Sequence, residues 1–287
     1  MIKLRLRHSS KEEKVTLIAF FIIFLAFAIV FLTPFIWVII NSLRDGGDYF
    51  DDVLALPTKL NFQNYLKVFE EFYVGGFYFS DILFNSIWIL VVKVFVNVAS
   101  STMLAYALAR FRFPGKNLLY EIVLFVNVIP IVGNGPAAFK LLNGLNMVNN
   151  PWTIWLYWAS GFDFAFIVLY GYFRGISSTY SEAAMIDGAS NLKILIKIIL
   201  PLAFPCMIAL MINQSITVWN DYSTPMIYLR EFPNLAYGLY LFNQSSFLID
   251  RPIYFTAIVI SCIPVIILYA FTQNILLKNL TAGGLKG

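Results

Sequence analysis

Between positions 213 and 220 this 287-residue chain carries Asn213, Gln214, Ser215, Thr217, Trp219 and Asn220 on an otherwise apolar stretch. Asn and Gln amides hydrogen-bond hydroxyl groups, and an indole stacks on the apolar face of a sugar ring. Asn213, Gln214, Trp219 and Asn220 are therefore candidates to line a polar path through the apolar region. The same groups could instead bond across helices to a second polypeptide. Two charges lie deep in other apolar stretches, Lys93 and Asp163. Each costs about 2.5–3.5 kcal/mol at a bilayer centre. Counted at about 1.5 Å per residue, their depths differ by about 4–5 Å, so they are a candidate intramembrane ion pair. Otherwise Lys93 snorkels outward and Asp163 faces a wet cavity. Enzymatic chemistry has no such foothold. The single His, His8, sits in a basic tail, and no nucleophile, base and acid form a set. Cys206 and Cys262 lie in apolar stretches and read as small apolar residues, which leaves no disulfide framework and no metal site. No Gly-rich loop ends in Lys-Ser/Thr, so this chain is not expected to bind ATP itself.

A second constellation lies at Glu182-Ala183-Ala184-Met185-Ile186-Asp187-Gly188-Ala189, followed by a basic amphipathic run and Leu200-Pro201. Thr179 and Glu182 have the spacing of a capping box, with Thr179 as N-cap. Gly188 stands where a left-handed residue would end the helix. A helix of about two turns is too short to be stable alone in water. Ala183 and Ala184 give it a face that another surface can approach closely. The segment reads as a docking element, or else as an ordinary interfacial loop.

The elements that must hold these residues are set by hydropathy. The chain is 60% hydrophobic and 13% charged, with a mean hydropathy of +0.75. A soluble domain carries about a quarter charged residues, so this is an integral membrane protein of the all-α class. A span needs about 20 mainly apolar residues. Six stretches qualify: 15–40, 82–109, 118–139, 152–173, 202–220 and 253–277. The first is uniformly apolar and too long for the core of a cleavable signal peptide. Basic residues gather in the tail 1–14, after the second span (Arg110, Arg112, Lys116), in the loop 174–201, and in the tail 278–287. The loop 41–81 is acidic instead. Both termini and the loop 174–201 are therefore expected in the cytoplasm. The net charge of +4 is spread over loops and is no signal for nucleic acid. A short interfacial helix is expected at 61–69. The acidic cluster Asp45–Asp52 reads as a solvated face, since its spacing fits no standard calcium loop.

The segment Glu182–Pro201 closely resembles the "EAA" loop of the permease subunits of bacterial binding-protein-dependent ABC importers. The match runs through Glu182, Ala183, Ala184, Asp187, Gly188, Ala189, Leu200 and Pro201. The Asp-Gly-Ala form is similar to the carbohydrate branch and to its maltose-type six-span subunit. Other short motifs carry the likeness in order along the chain: Asn64-Tyr65, Asn85-Ser86, Ala105–Arg110, Ile129-Pro130, Trp219-Asn220-Asp221 and the ending Leu280–Gly287. One departure is visible, since that branch has Ile-Pro before the Glu and here Ile176 is followed by Ser177.

The resemblance implies a type I ABC importer permease fold in a bacterial plasma membrane. It implies a heterodimer with a second permease subunit, two cytoplasmic ATPase subunits that bind the ATP and Mg, and an extracytoplasmic solute-binding protein. Glu182, Ala183, Ala184, Asp187 and Gly188 would form the coupling element resting on an ATPase subunit. The last residues, Thr281 to Gly287, would lie near the ATPases, and Tyr222–Asp250 would meet the binding protein. The solute would be a carbohydrate. A permease for another small solute, such as a polyol phosphate, is the nearest alternative. An ion-coupled secondary transporter would need Lys93 or Asp163 as a titrating site, and no inverted repeat accompanies them.

Overall fold

The computed structural model describes residues 11–129, 133–245 and 251–283, with side chains for 12–129, 133–244 and 251–273. The basic tail before Lys11, Pro130, Asp250 and the last four residues lie outside the described residues. Most of the chain's described residues are helical. Its elements are α1 (Lys11–Ser42), α2 (Gly46–Asp51), α3 (Asn64–Glu71), a two-stranded hairpin of β1 (Tyr73–Val74) and β2 (Phe77–Tyr78), α4 (Phe79–Arg110), α5 (Lys116–Val128), α6 (Gly135–Gly144), α7 (Trp155–Trp158), α8 (Phe164–Gly175), α9 (Thr179–Ile186), α10 (Asn191–Ile194), a π-helical turn (Leu195–Ile199), α11 (Leu200–Trp219), α12 (Ser223–Tyr228), α13 (Leu235–Ser245) and α14 (Arg251–Gly283). β1 and β2 pair antiparallel, Tyr73 opposite Tyr78.

Among the described residues, Glu12–Ser42, Phe79–Arg110, Asn191–Trp219 and Arg251–Gln273 are long and apolar enough to cross a membrane. Two of the six expected spans are interrupted. The stretch 118–139 holds α5 and the start of α6. Gly133 takes φ +89°, and Pro136, which has no N–H to donate, opens α6. The stretch 152–173 holds a single turn, α7, and then α8, which restarts at Asp163. The break is at Gly161, whose φ is +65°. A β-carbon there would stand 3.4 Å from the Ser100 carbonyl, so the backbone of this segment lies directly on α4.

The chain forms two compact units. The first comprises Met1–Phe72 and Phe242–Cys262. Its polar centre is Arg44, almost fully buried, whose guanidinium donates to the carbonyl oxygens of Asp48, Asp52 and Val53. The acidic cluster is thus a turn wound on an arginine, and Asp48 also accepts from the Thr58 hydroxyl. Asn64, buried at the start of α3, donates to the carbonyls of Ser42 and Arg44 at 2.9 and 2.8 Å. Tyr65 meets the Ser42 hydroxyl at 2.9 Å. Phe72 stacks on Phe242 with ring centroids 4.1 Å apart. The interfacial helix expected at 61–69 is α3, begun three residues later.

The second unit comprises Tyr73–Leu241 and Ile263–Gly287. α4 is its axis. Val98, Ala105, Tyr106 and Leu108 of α4 form one buried cluster with Phe166, Leu169 and Phe173 of α8 and with Ile199, Ala203 and Leu210 along the π turn and α11. Lipid tails are as apolar as these side chains, so close packing and hydrogen bonds hold the helices together here, not transfer from water.

Candidate functional site

The docking segment is built from the break between α8 and α11. α9 has eight residues, none of them buried. Its N-terminus differs from the expected capping box. The helix begins at Thr179, and the N-cap position, Ser178, makes no side-chain cap bond. Ser177 has taken over. Its Oγ accepts from the Thr179 N–H at 3.3 Å and bonds the Thr179 hydroxyl at 2.8 Å. A hydroxyl one residue upstream of the N-cap position offers the same kind of local turn, so the side-chain bond to the backbone comes from Ser177 instead of Thr179. The C-terminus is as expected. Gly188 takes φ +76°, with its N–H donating to Met185 and the Ala189 N–H donating to Ala184, a Schellman-type close. Ser190 then caps α10 by accepting from the Lys193 N–H at 3.4 Å.

The Leu200-Pro201 pair ends the loop through a π turn. Pro201 cannot donate to Lys197, and its ring would crowd that carbonyl in an α-helix. The widened turn Leu195–Ile199 accommodates both constraints. The finished surface exposes Tyr180, Met185 and Ile186, beside Glu182 and Ala183. An open hollow of about 570 Å³ lies between α9 and the π turn, lined by Ser177, Tyr180, Ala183, Ala184, Asp187 and Ile198. The loop is wired to the helices behind it. Arg110, the last residue of α4, donates to the Ile176 carbonyl at 2.6 Å, and Ala184 and Ala189 pack on the buried cluster.

Lys93 and Asp163 are not brought together. The Lys93 ammonium pairs with Asp221 at 2.9 Å. Asp163 caps α8, its Oδ1 accepting from the Phe166 N–H at 3.1 Å and the Ser101 hydroxyl at 2.8 Å. Asp163 therefore sits level with Ser101, about 12 Å along α4 from Lys93 at 1.5 Å per residue. The break at Gly161 shifts Asp163 out of the register that an unbroken span would give. Burial resists ionisation of Asp221. The Lys93 charge and the Thr224 hydroxyl and N–H outweigh it and hold the carboxyl below its ordinary value.

The four candidate path residues part ways. Gln214 turns inward and donates to Asn97 of α4 at 2.8 Å. Trp219 is buried against a small cavity of about 40 Å³ that Leu90, Ser215, Pro264 and Leu268 share. Asn213 and Asn220 stay exposed, with Thr217 between them on the same face of α11. Sequence reasoning missed Asn97 and Ser101, and it named Asp221 only within a motif, not as the partner of Lys93. One signal was available: Lys93, Asn97 and Ser101 recur every fourth residue, a polar seam on one side of α4.

Residues 101–282 match the family described as binding-protein-dependent transport system inner membrane component. The chain is 30% identical over 280 residues to a trehalose/maltose transport system permease protein of Thermococcus litoralis, covering 96% of this chain and 99% of that one. It is 28% identical over 260 residues to a diacetylchitobiose uptake system permease protein of Streptomyces coelicolor, covering 89% and 84%. Its fold matches a chain of a bacterial ABC transporter involved in import of the acidic polysaccharide alginate, at a TM-score of 0.79 and 26% identity, covering 93% of this chain and 98% of that chain.

Proposed function

The chain belongs to the binding-protein-dependent transport system inner membrane component family, and from that premise we propose the division of labour among its residues. It is a membrane permease subunit of an ATP-driven importer whose cargo is a carbohydrate, as in the relatives named for trehalose/maltose and diacetylchitobiose. It works with a second permease, two ATPase subunits and a solute-binding protein. ATP and Mg belong to the ATPase subunits, and this chain holds no cofactor. α9, with Glu182, Ala183, Ala184, Asp187 and Gly188, docks on an ATPase subunit in the cytoplasm. Asn213, Thr217 and Asn220 form a polar stripe on α11 that faces the solute path or the second permease, since polar groups are costly against lipid. Gln214 and Trp219 support that helix from behind.

The observation that carries the docking role is the exposed, closed α9 whose entry is bonded to α4 through Arg110 and whose exit runs into α11. A push on α9 reaches both helices. The experiment is sugar uptake alongside ATP hydrolysis in vesicles holding the full complex. Gly188→Pro cannot adopt φ +76° and removes the N–H bonded to Met185. Glu182→Lys places a cation at the positive end of a short helix. Both variants should reach the membrane, hydrolyse ATP and lose uptake. Normal uptake in both would remove α9 from the coupling role.

A further inference from the structure

Lys93 and Asp221 join distant parts of the chain, and neither the docking loop nor the exposed stripe on α11 uses them. Lys93 Nζ donates to Asp221 Oδ2 at 2.9 Å and to Thr224 Oγ1 at 3.4 Å, and it lies 6.0 Å from the centre of the Trp158 ring. Each side chain of the pair is 21% exposed. So shielded a pair is favourable only if its geometry is good and its remaining lone pairs are filled. They are filled: Asp221 Oδ1 accepts from the Thr224 N–H at 3.0 Å, and Oδ2 also accepts from the Thr224 hydroxyl.

Asp221 does more than neutralise a lysine. Its backbone carbonyl accepts from Asn234 Nδ2 at 2.8 Å, and Asn234 Oδ1 accepts from the Tyr237 N–H at 2.9 Å. The residue thus closes the whole segment from 221 to 237 on itself. α4 fastens the far end of the same segment. Asn85 Nδ2 donates to the Pro233 carbonyl at 3.2 Å, and Ser86 Oγ accepts from the Leu235 N–H at 2.6 Å. Trp88 meets Phe232 edge-on at 6.3 Å. Lys93 lies two turns further along α4, so the segment is clamped at two levels of one rod. The clamped segment leaves Tyr222, Arg230 and Glu231 exposed.

The same rod reaches the docking loop at its other end, through Arg110 and Ile176. α11 likewise runs from the docking loop to Asn220. The clamped segment therefore lies a full membrane span from α9, on the extracytoplasmic face if α9 is cytoplasmic. We propose that Lys93 and Asp221 are positioning residues that hold the 221–235 segment in the single arrangement recognised by the loaded solute-binding protein. This rests on the reading of the chain as an importer subunit. The contact surface is the segment itself, and the ion pair acts through it.

The test uses the full complex in vesicles, with the solute-binding protein of the same system purified together with the oligosaccharide it retains. ATP hydrolysis is measured against binding-protein concentration. The informative variant is the double neutral change, Lys93→Met with Asp221→Asn, which leaves no buried unpaired charge. If the pair only neutralises itself, that variant behaves as the parent does. If the pair positions the segment, half-maximal stimulation needs about tenfold more binding protein, while hydrolysis without binding protein is unchanged. Thr224→Val keeps both charges and should shift the same curve by about threefold, so it decides the matter if the double variant assembles poorly. Parent-like curves in the assembled variants overturn the proposal. A parent complex that the loaded binding protein does not stimulate overturns the importer reading instead.

Discussion

Gly188 holds its left-handed backbone in open space, since a β-carbon there would meet nothing within 4 Å. Any cost of a side chain is therefore torsional. Gly188→Ala should weaken the close of α9 by about 1–2 kcal/mol, and Gly188→Asn by less, because Asn tolerates that region. Sugar transported per ATP should fall in the order Gly, Asn, Ala. Asp221 gives a pH prediction. Its carboxyl is held below the ordinary value of about 3.9, so its stabilising contribution is complete above that value and fades only as pH falls through the lowered one. Thermal stability of the complex should be unaffected by this group across neutral pH. Asp221→Asn should remove part of the acid-side loss, which a melting series from neutral to acid would reveal. Gly188 was legible because a left-handed stop follows from spacing alone. Asp221 was not, because it lies two residues beyond the end of α11 and its partner is 128 positions away.

α4 and α13 approach unusually closely. A β-carbon on Gly238 would stand 2.9 Å from Ile82 Cγ2 and 3.0 Å from its Cδ1. Ile is stiff at χ1 and cannot swing aside cheaply. Gly238→Ala should destabilise the complex by about 1–3 kcal/mol through overpacking, whereas in an Ile82→Ala background, itself destabilised by the lost side chain, the same change should cost little. Melting temperatures of the single and double variants check this, and an undisturbed single variant would mean that the helices part freely. Elements of this kind divide by how local their causes are. α1, α4, α11 and α14 were readable as long apolar runs. The interruptions at Gly133 and Gly161 were marked by Gly133-Asn134-Gly135-Pro136 and by Ser160-Gly161 before Asp163, but reading each stretch by its total apolar length passed over them. The two short polar pairs, Asn64-Tyr65 and Asn85-Ser86, were readable as motifs but not as anchors. Each bonds a backbone carbonyl or amide that sequence cannot place.

The whole molecule is unfinished by itself. α1 buries nothing along its most apolar window, and α11 exposes Asn213, Thr217 and Asn220. Lipid can cover the first surface but not the second without cost. Expressed alone, the chain should insert and yet be short-lived in detergent. Co-expression with its second permease and ATPase should give a complex with one copy of this chain, measurable by native mass. A transport-competent homodimer would defeat that asymmetric arrangement. The lengths of the helices add a constraint of another kind. α1 and α4 have 32 residues each and α14 has 33. At 1.5 Å per residue each is about 48–50 Å long, against a hydrocarbon core of about 30 Å. Such rods must lean or project, and the lean depends on the thickness of the surrounding lipid. α4 grips the 221–235 segment near one end and the docking loop at the other, so a change of lean moves both grips together. Uptake by the complex is therefore expected to change with bilayer thickness, which vesicles made from lipids of different acyl-chain length would check.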